Sequence, residues 1–347
     1  MPVPTSGAGA GGFADSILQP ESAQGHSTPA LRELSQRDKP WDKHRSNVDK
    51  VESHYQGSEF NDYADRVRFC SEFLGFGLIP DEKSAAGDMR FKLRTARFCR
   101  VRHCPVCQWR RSLMWKAKAF QVLPRIVEAH PTHRWLFLTL TLKNCHITEL
   151  RDTLQDMNQA YRRMMQRKAW PAVGWLRSME VTRGKDGSAH PHYHCLLLVP
   201  PSYFGKGYLK QAEWVELWRK SLRIDYNPVL HVRPVKKGEQ PMQLVPELLK
   251  YCVKESDLVH DREWFLELTR QLHKMKAVGT GGVLKQYLKE LEQEPEDLIG
   301  EGEEAEEMTD DEFQLYFGWR RKEGLYRLVE SSQRSTLSDS VSSKYSG

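Results

Sequence analysis

The sequence predicts an α+β protein: a central antiparallel sheet with helices packed on one face and a polar cleft on the other, preceded by an N-terminal module built on clustered cysteines. Three observations carry this prediction. Trp135-Leu-Phe-Leu-Thr-Leu-Thr-Leu-Lys-Asn144 alternates with period two, so Leu136, Leu138, Leu140 and Leu142 face one way and Phe137, Thr139 and Thr141 the other, as expected of a strand between a core and a cleft. Ala189-His-Pro-His-Tyr-His-Cys-Leu-Leu-Leu-Val199 runs three alternating histidines into an apolar β-type segment. Residues 147–169 and 209–222 repeat apolar residues at helical spacing, with Met157, Tyr161, Met164 and Met165 in the first and Trp214, Leu217 and Trp218 in the second.

Composition narrows the function classes. With 347 residues, 39% hydrophobic and 28% charged, the chain is long enough to bury a substantial core. No run of about 18 uncharged apolar residues marks a membrane span, and no basic segment followed by an apolar one marks a signal peptide, so no membrane partner is expected. The net charge of +6 hides a segregation: Glu292–Glu312 holds twelve acidic residues and no Lys or Arg, leaving 52 basic against 34 acidic residues elsewhere. A basic body with an acidic appendage fits a polyanionic partner. Seven cysteines, three of them within nine residues, point to metal binding in a reducing compartment over disulfides.

Taken in order, residues 1–58 are rich in Gly, Ser, Pro, Ala and charge and read as a disordered arm. Residues 59–125 form the cysteine module. Cys99-Arg-Val-Arg-His-Cys104-Pro-Val-Cys107 spaces its thiols as Cys-x4-Cys-x2-Cys around a proline turn, close enough to converge on one tetrahedral ion, for which Zn²⁺ is the natural occupant. The fourth ligand is Cys70 or His103, and ligand softness favours Cys70. The helix that follows, Gln108 to Phe120, offers Arg110, Arg111, Lys116 and Lys118 as phosphate contacts. Residues 126–291 make the main domain, within which Pro228–Val235 reads as an edge strand between prolines and Gly279–Gly282 as a turn between helices. An acidic spacer over 292–312, a basic-aromatic helix over 313–330 and a disordered tail over 331–347 complete the chain.

Chemistry concentrates in the main domain. Trp175–Thr182 reads as a strand, and Arg183-Gly-Lys-Asp-Gly-Ser as the turn leading into the histidine strand. A hairpin centred near Asp186 sets Glu180 opposite His192 on the same face. His192, His194 and Glu180 then form a candidate site for a divalent ion; His190, before a proline at the strand's start, is the weaker ligand. Downstream, Pro246 to Lys254 reads as a helix with proline in its first turn. Glu247, Tyr251 and Lys254 lie four and three residues apart and share one face of it.

These motifs, in this order, resemble the plasmid rolling-circle replication initiators of the HUH endonuclease superfamily, in the branch with a single catalytic tyrosine and an accompanying glutamate. The resemblance rests on Phe137–Asn144, His190–Leu197, Glu247–Asp257, the cysteine knuckle followed by Trp-Arg-Arg-Ser, and Met275–Lys285, and it covers roughly residues 60 to 290. It implies Mn²⁺ or Mg²⁺ on His192, His194 and Glu180, with Tyr251 attacking a DNA phosphodiester to leave a 5′-phosphotyrosine and a 3′-hydroxyl primer. It gives Glu247 the activation of water at termination and Lys254 the support of the phenolate. Glu255 stands where two-tyrosine relatives carry their second tyrosine. The partners expected are plasmid origin DNA, single-stranded or hairpin at the nick, a host helicase, and further copies of the chain, all in a bacterial cytoplasm. A relaxase or transposase of the same chemistry, or a zinc-dependent DNA-binding regulator without nuclease activity, is the alternative.

Overall fold

The structure is a computed structural model that describes residues 28–81, 88–236, 239–250, 252–291 and 313–333. In chain order its principal elements are α1 (Pro40–Tyr55), α2 (Asn61–Arg68), β1 (Phe73–Pro80), β2 (Met89–Ala96), α3 (Pro105–Ala129), β3 (Arg134–Thr141), α4 (Leu150–Met165), β4 (Gly174–Arg183), β5 (Ala189–Val199), α5 (Gln211–Leu222), β6 (Leu230–Pro234), α6 (Val245–Leu248), α7 (Glu255–His260), α8 (Arg262–Gln271), β7 (Val278–Gly282), α9 (Val283–Leu291), β8 (Phe313–Arg320) and β9 (Leu325–Gln333). They divide into two compact units, the smaller drawing its described residues from 28–46, 71–97 and 313–333 and the larger from 47–70 and 98–291. Both units are built on antiparallel sheets, so the α+β class holds, with two sheets where the sequence suggested one. None of the described helices is long and apolar enough to cross a membrane.

The larger unit carries a five-stranded sheet in the order β6-β3-β5-β4-β7. β6 lies at one edge, as its prolines require, since proline gives no ladder hydrogen bond. Side chains alternate across this sheet as the sequence pattern dictates. Trp175 and Tyr193 point to the face covered by α4, where Tyr161 meets both rings at 5.2 and 6.3 Å. On the same face the Arg177 guanidinium lies 4.1 Å from the Tyr193 ring centre, and Trp218 of α5 donates to the Thr141 carbonyl at 2.9 Å. The other face is divided. One end is packed by Ala119, Val122, Leu123 and Ile126 of α3, Val245 and Leu248 of α6, and Leu284 and Leu288 of α9 against Leu176, Leu196 and Leu198. The opposite end is polar. Helices therefore cover both faces, a correction to the expectation of one: the apolar run Leu196-Leu197-Leu198-Val199 is buried throughout and needs apolar partners on each side. Each such fully buried side chain stabilises the fold by about 1.5–3 kcal/mol.

The cysteine cluster is likewise not an N-terminal module of its own. Its helix α3 is part of the main core, and residues 71–97 belong to the smaller unit.

The smaller unit holds a four-stranded sheet in the order β2-β1-β8-β9. Residues 313–330, expected to be helical, form the β8–β9 hairpin instead. Leu315 and Phe317 alternate into the core beside Phe76 and Phe91, a period of two that aromatic and aliphatic residues favour in strands. Gly324, at φ +67°, closes the turn. The arm expected to be disordered over 1–58 is structured from residue 28 onward, because α1 buries a sparse stripe of Trp41, Val48, Val51 and Tyr55. Residues 1–27, the acidic spacer and the tail from 334 lie outside the described residues.

Gly279–Gly282, expected as a helix–helix turn, is the edge strand β7 paired with β4. Its glycines permit the approach: a Cβ on Gly281 would fall 2.4 Å from the Trp175 indole, and one on Gly282, at φ +56°, 2.0 Å from the Val173 carbonyl oxygen. A Cβ on Gly187, at φ +82°, would meet nothing nearer than 3.8 Å, so Gly187→Ala should cost only the left-handed backbone penalty of about 1–2 kcal/mol. Gly282→Ala should cost about 1–3 kcal/mol more through the backbone collision. Urea unfolding of the two variants checks this, and an equal or smaller loss at Gly282 would contradict the close approach.

Candidate active site

The polar end of the sheet is assembled by the β4–β5 hairpin. Its turn is closed by Asp186, which accepts from the Ser188 amide at 3.1 Å and hydroxyl at 2.6 Å, and by Gly187 in the left-handed region. The resulting register pairs Glu180 with His192, Ser178 with His194 and Thr182 with His190, and β3 sets Thr139 against His194 and Thr141 against His192. Because facing residues in a ladder share a face, carboxylate and imidazoles converge. Glu180 Oε2 lies 3.1 Å from both His192 Nε2 and His194 Nε2, and one ligand atom from each residue falls within 4.8 Å of the others. Glu180 and His194 are only 5% and 8% exposed.

Outer contacts orient both rings. His192 Nδ1 lies 3.3 Å from the His190 carbonyl oxygen, and its Nε2 faces Glu180. His194 Nδ1 meets Thr139 Oγ1 at 3.3 Å, the same arrangement by which metal-bound histidines are usually held. Burial opposes ionisation of Glu180, but hydrogen bonds and charge from His192 and His194 outweigh it and hold the carboxyl well below its usual range. A buried carboxylate facing two imidazole nitrogens is a donor set suited to a divalent cation. The 3.1 Å separations also match adjacent ligands of an octahedral ion, which lie about 3.0 Å apart for bonds of about 2.1 Å. The three residues therefore fit a divalent metal. His190 stands aside: its Nδ1 is 2.8 Å from Asn144 Oδ1. Thr139 and Asn144 were not singled out in the sequence. Thr139 was discoverable from its polar place on the strand, whereas nothing local links Asn144 to a histidine 46 residues away.

The segment expected to supply the nucleophile is built differently from the predicted helix. α6 ends at Leu248, and the chain then follows the outer edge of β4. Ser178 Oγ donates to the Leu248 carbonyl, the Val181 amide donates to the Cys252 carbonyl at 2.8 Å, and Val253 bridges Val181 in parallel. These hydrogen bonds replace the helical ones, so Glu247 and Lys254 do not share a helical face. Glu247 is exposed and paired with Lys250 at 2.5 Å. Lys254 is exposed at the N-cap of α7, and Glu255 is buried and accepts from Asn47 at 2.8 Å. Tyr251 lies outside the described residues.

A second cluster forms where α2 leads into β1 and where α3 begins. The Cys70, Cys99, Cys104 and Cys107 thiols are all buried and unpaired by disulfides. Their Sγ atoms lie 3.5 to 3.6 Å apart in the pairs Cys70–Cys104, Cys70–Cys107 and Cys99–Cys107, near the edge of about 3.8 Å of a tetrahedron of thiolates around a metal. The Cys99 amide points at Cys70 Sγ at 3.5 Å. Hydrogen bonds from Cys104, Cys70 and Cys99 lower the Cys107 thiol well below its usual range. His103 is turned away, edge-on to Phe265 at 6.1 Å, where burial keeps its ring neutral. Of the expected phosphate contacts, Arg111 donates to the carbonyls of Arg100 and Arg102 at 2.8 and 3.2 Å and so braces the knuckle. Arg110 lies over Phe98 and Lys118 over Trp115, each 5.8 Å from the ring centre, and burial lowers the Lys116 ammonium below its usual range.

Comparison with known proteins decides the relationship. The family model described as replication protein matches residues 90–327. The chain belongs to the replication protein family. A Rep protein from Bacillus amyloliquefaciens is 31% identical over 88% of this chain and 95% of its own length. One from Lactiplantibacillus plantarum is 38% identical over 69% and 78%, and a replication protein from Staphylococcus aureus is 36% identical over 58% and 94%. No solved structure matches the chain. Family membership brings DNA as a partner and nuclease-type activity in general.

The geometry of the cysteine cluster makes its own prediction. Cys70→Ser should reduce the tightly bound metal of the purified protein to well below one equivalent by elemental analysis and lower the thermal midpoint, because three thiolates bind far less tightly than four. His103→Leu should leave the metal content unchanged. The reverse pattern would place His103, not Cys70, in the cluster.

Proposed function

We propose that this replication protein starts and ends rolling-circle replication of a plasmid by nicking its origin with Tyr251, in a bacterial cytoplasm. The observation that carries the reading is the Glu180–His192–His194 cluster, a cation site built into the polar end of the sheet of a replication-family chain.

In this reading the Tyr251 hydroxyl oxygen attacks the scissile phosphorus and the bond to the 3′-oxygen breaks. A 5′-phosphotyrosine forms, and the departing 3′-oxygen takes a proton to become the primer hydroxyl. A Mn²⁺ or Mg²⁺ ion on Glu180, His192 and His194 would neutralise phosphate charge as a Lewis acid. His192 and His194 are held for that role by the His190 carbonyl and by Thr139. Tyrosine is a weak nucleophile at its ordinary pKa of about 10, and Lys254, three residues on, supplies a cation that favours the phenolate. Glu247 serves at the end of the round: its exposed carboxylate accepts a proton from water, which hydrolyses the closing phosphodiester intermediate. Zn²⁺ in the Cys70–Cys99–Cys104–Cys107 cluster has a structural role, fixing the start of α3. The substrate is origin DNA, single-stranded or hairpin at the nick, and a host helicase is the partner that extends the opening. The names of the relatives favour an initiator over a relaxase or transposase.

The test is supercoiled cognate plasmid with Mn²⁺. Wild type should yield open circles and a covalent protein–DNA adduct, while Tyr251→Phe and His192→Ala yield neither. Unchanged nicking by Tyr251→Phe would remove the nucleophile assignment, and absence of an adduct in wild type would favour a DNA-binding regulator. Glu247→Ala should nick at close to the wild-type rate but accumulate unterminated, longer-than-unit products. Equal loss of both activities would refute the division of labour.

A further inference from the structure

Beside the metal cluster the larger unit holds a second feature that the nicking chemistry does not use. A groove of about 800 Å³ runs along the outer edge of β7, between α3 and α9. Its lining includes Arg102, Arg111, Lys250, Lys276, Lys285 and Lys289 and, among the described residues, no Asp or Glu. The four lysines are exposed. Arg102 and Arg111 are braced, Arg102 on the Met275 carbonyl and Arg111 on those of Arg100 and Arg102, so two guanidinium groups are fixed in the wall. Trp115, half-buried against the core, presents its remaining surface to the groove, and Gly279 and Thr280 line it along β7. β7 is the last strand of its sheet, and its outer edge has no strand neighbour among the described residues, which leaves backbone amides available to an anion.

We propose that this groove holds a single-stranded segment of DNA beside the scissile phosphate. Six cations, of which Lys250 is paired with Glu247, in a lining without carboxylates suit a phosphodiester backbone. An indole surface beside them suits unpaired bases, which stack on aromatic rings, whereas a duplex keeps its bases paired and offers only phosphates. The groove also has the right connection: its wall includes Leu249, Lys250 and Cys252, on either side of position 251, and the Cys252 carbonyl accepts from Val181, next to Glu180 in β4. A strand lying in it therefore leads toward the metal cluster. Lys250, tied to Glu247 at 2.5 Å, couples the groove to the glutamate assigned to termination. The inference rests on the nicking reading for its purpose but not for its measurement.

The experiment reads binding without cleavage. Fluorescence anisotropy with a labelled oligothymidylate of about twelve nucleotides, within the usual site sizes, is measured on the full chain in EDTA. Lys276→Glu/Lys285→Glu/Lys289→Glu, all at exposed positions, should weaken binding at least about tenfold at about 0.15 M salt and lower the slope of log affinity against log salt by about 2, since each phosphate contact on single strands contributes about 0.7. Trp115→Leu should weaken it about tenfold with little change in that slope, because a stacking contact is not electrostatic. Photocrosslinking of 5-iododeoxyuridine oligonucleotide to wild-type protein should label peptides containing Trp115 or Lys285, and it needs no variant to fold. Wild-type affinity in the triple variant, or crosslinks confined to other peptides, would overturn the proposal. Equal loss of single-stranded and duplex binding in the triple and Trp115 variants would overturn the single-stranded occupant. Groove-dependent binding by a protein that never nicks leaves the groove in place and removes the nicking reading. Normal nicking with groove-independent binding does the opposite.

Discussion

The register between β4 and β5 is the constraint on which this molecule depends. Side chains on a strand alternate strictly, so a slip of one residue would send Glu180 to the face occupied by Tyr193 and Arg177 and leave two imidazoles without a carboxylate. Asp186 and Gly187 in the turn prevent that slip by fixing the loop length. The same register that brings Glu180 to His192 brings Leu176 to Leu196, so one alignment completes both the polar site and the apolar floor beneath α3 and α9. Site and core are two ends of one face, and the packing of the apolar end holds the polar end rigid.

The outer edge of β4 organises what surrounds the site. Over Gly174–Ser178 it pairs with the glycine-rich β7. Beyond that its amides are taken by Ala277 at Met179 and by Cys252 at Val181. A single strand edge thus positions the groove, Cys252 and Val253, and the metal cluster in sequence along its length. The cysteine cluster contributes through α3, whose first turn begins at Pro105 between two of the thiols and whose later turns enter the core. Charge follows this layout. The groove residues are basic, while the one buried carboxylate of the site stays ionised because two histidines face it.

Much of this was legible in the chain itself. Glu180 opposite His192, the edge position of β6, the polar face of β3 and the convergence of Cys70 with the knuckle all followed from period-two alternation, turn chemistry and ligand type, which are local properties. Readings that failed did so where a distant partner overrode local preference. Val245–Lys254 has helical spacing, yet Ser178 and Val181 capture its carbonyls. Gly279–Gly282 reads as a break, yet the Trp175 ring and the Val173 carbonyl demand residues without side chains there. The stretch from Phe313 mixes basic and aromatic residues as an amphipathic helix would, yet pairing with β1 makes it a strand.

The sequence by itself determined which residues could converge as metal ligands, His192 and His194, the glutamate across the turn and the four cysteines, because ligand type and strand period are written in consecutive residues. Only the tertiary structure decided that helices cover both faces of the sheet, that a second sheet closes around the hairpin from Phe313, and that the basic side chains from Arg102 to Lys289 line one groove. Those outcomes depend on hydrogen bonds and apolar contacts between segments up to about 245 residues apart, and no local pattern encodes the partner of a distant strand edge.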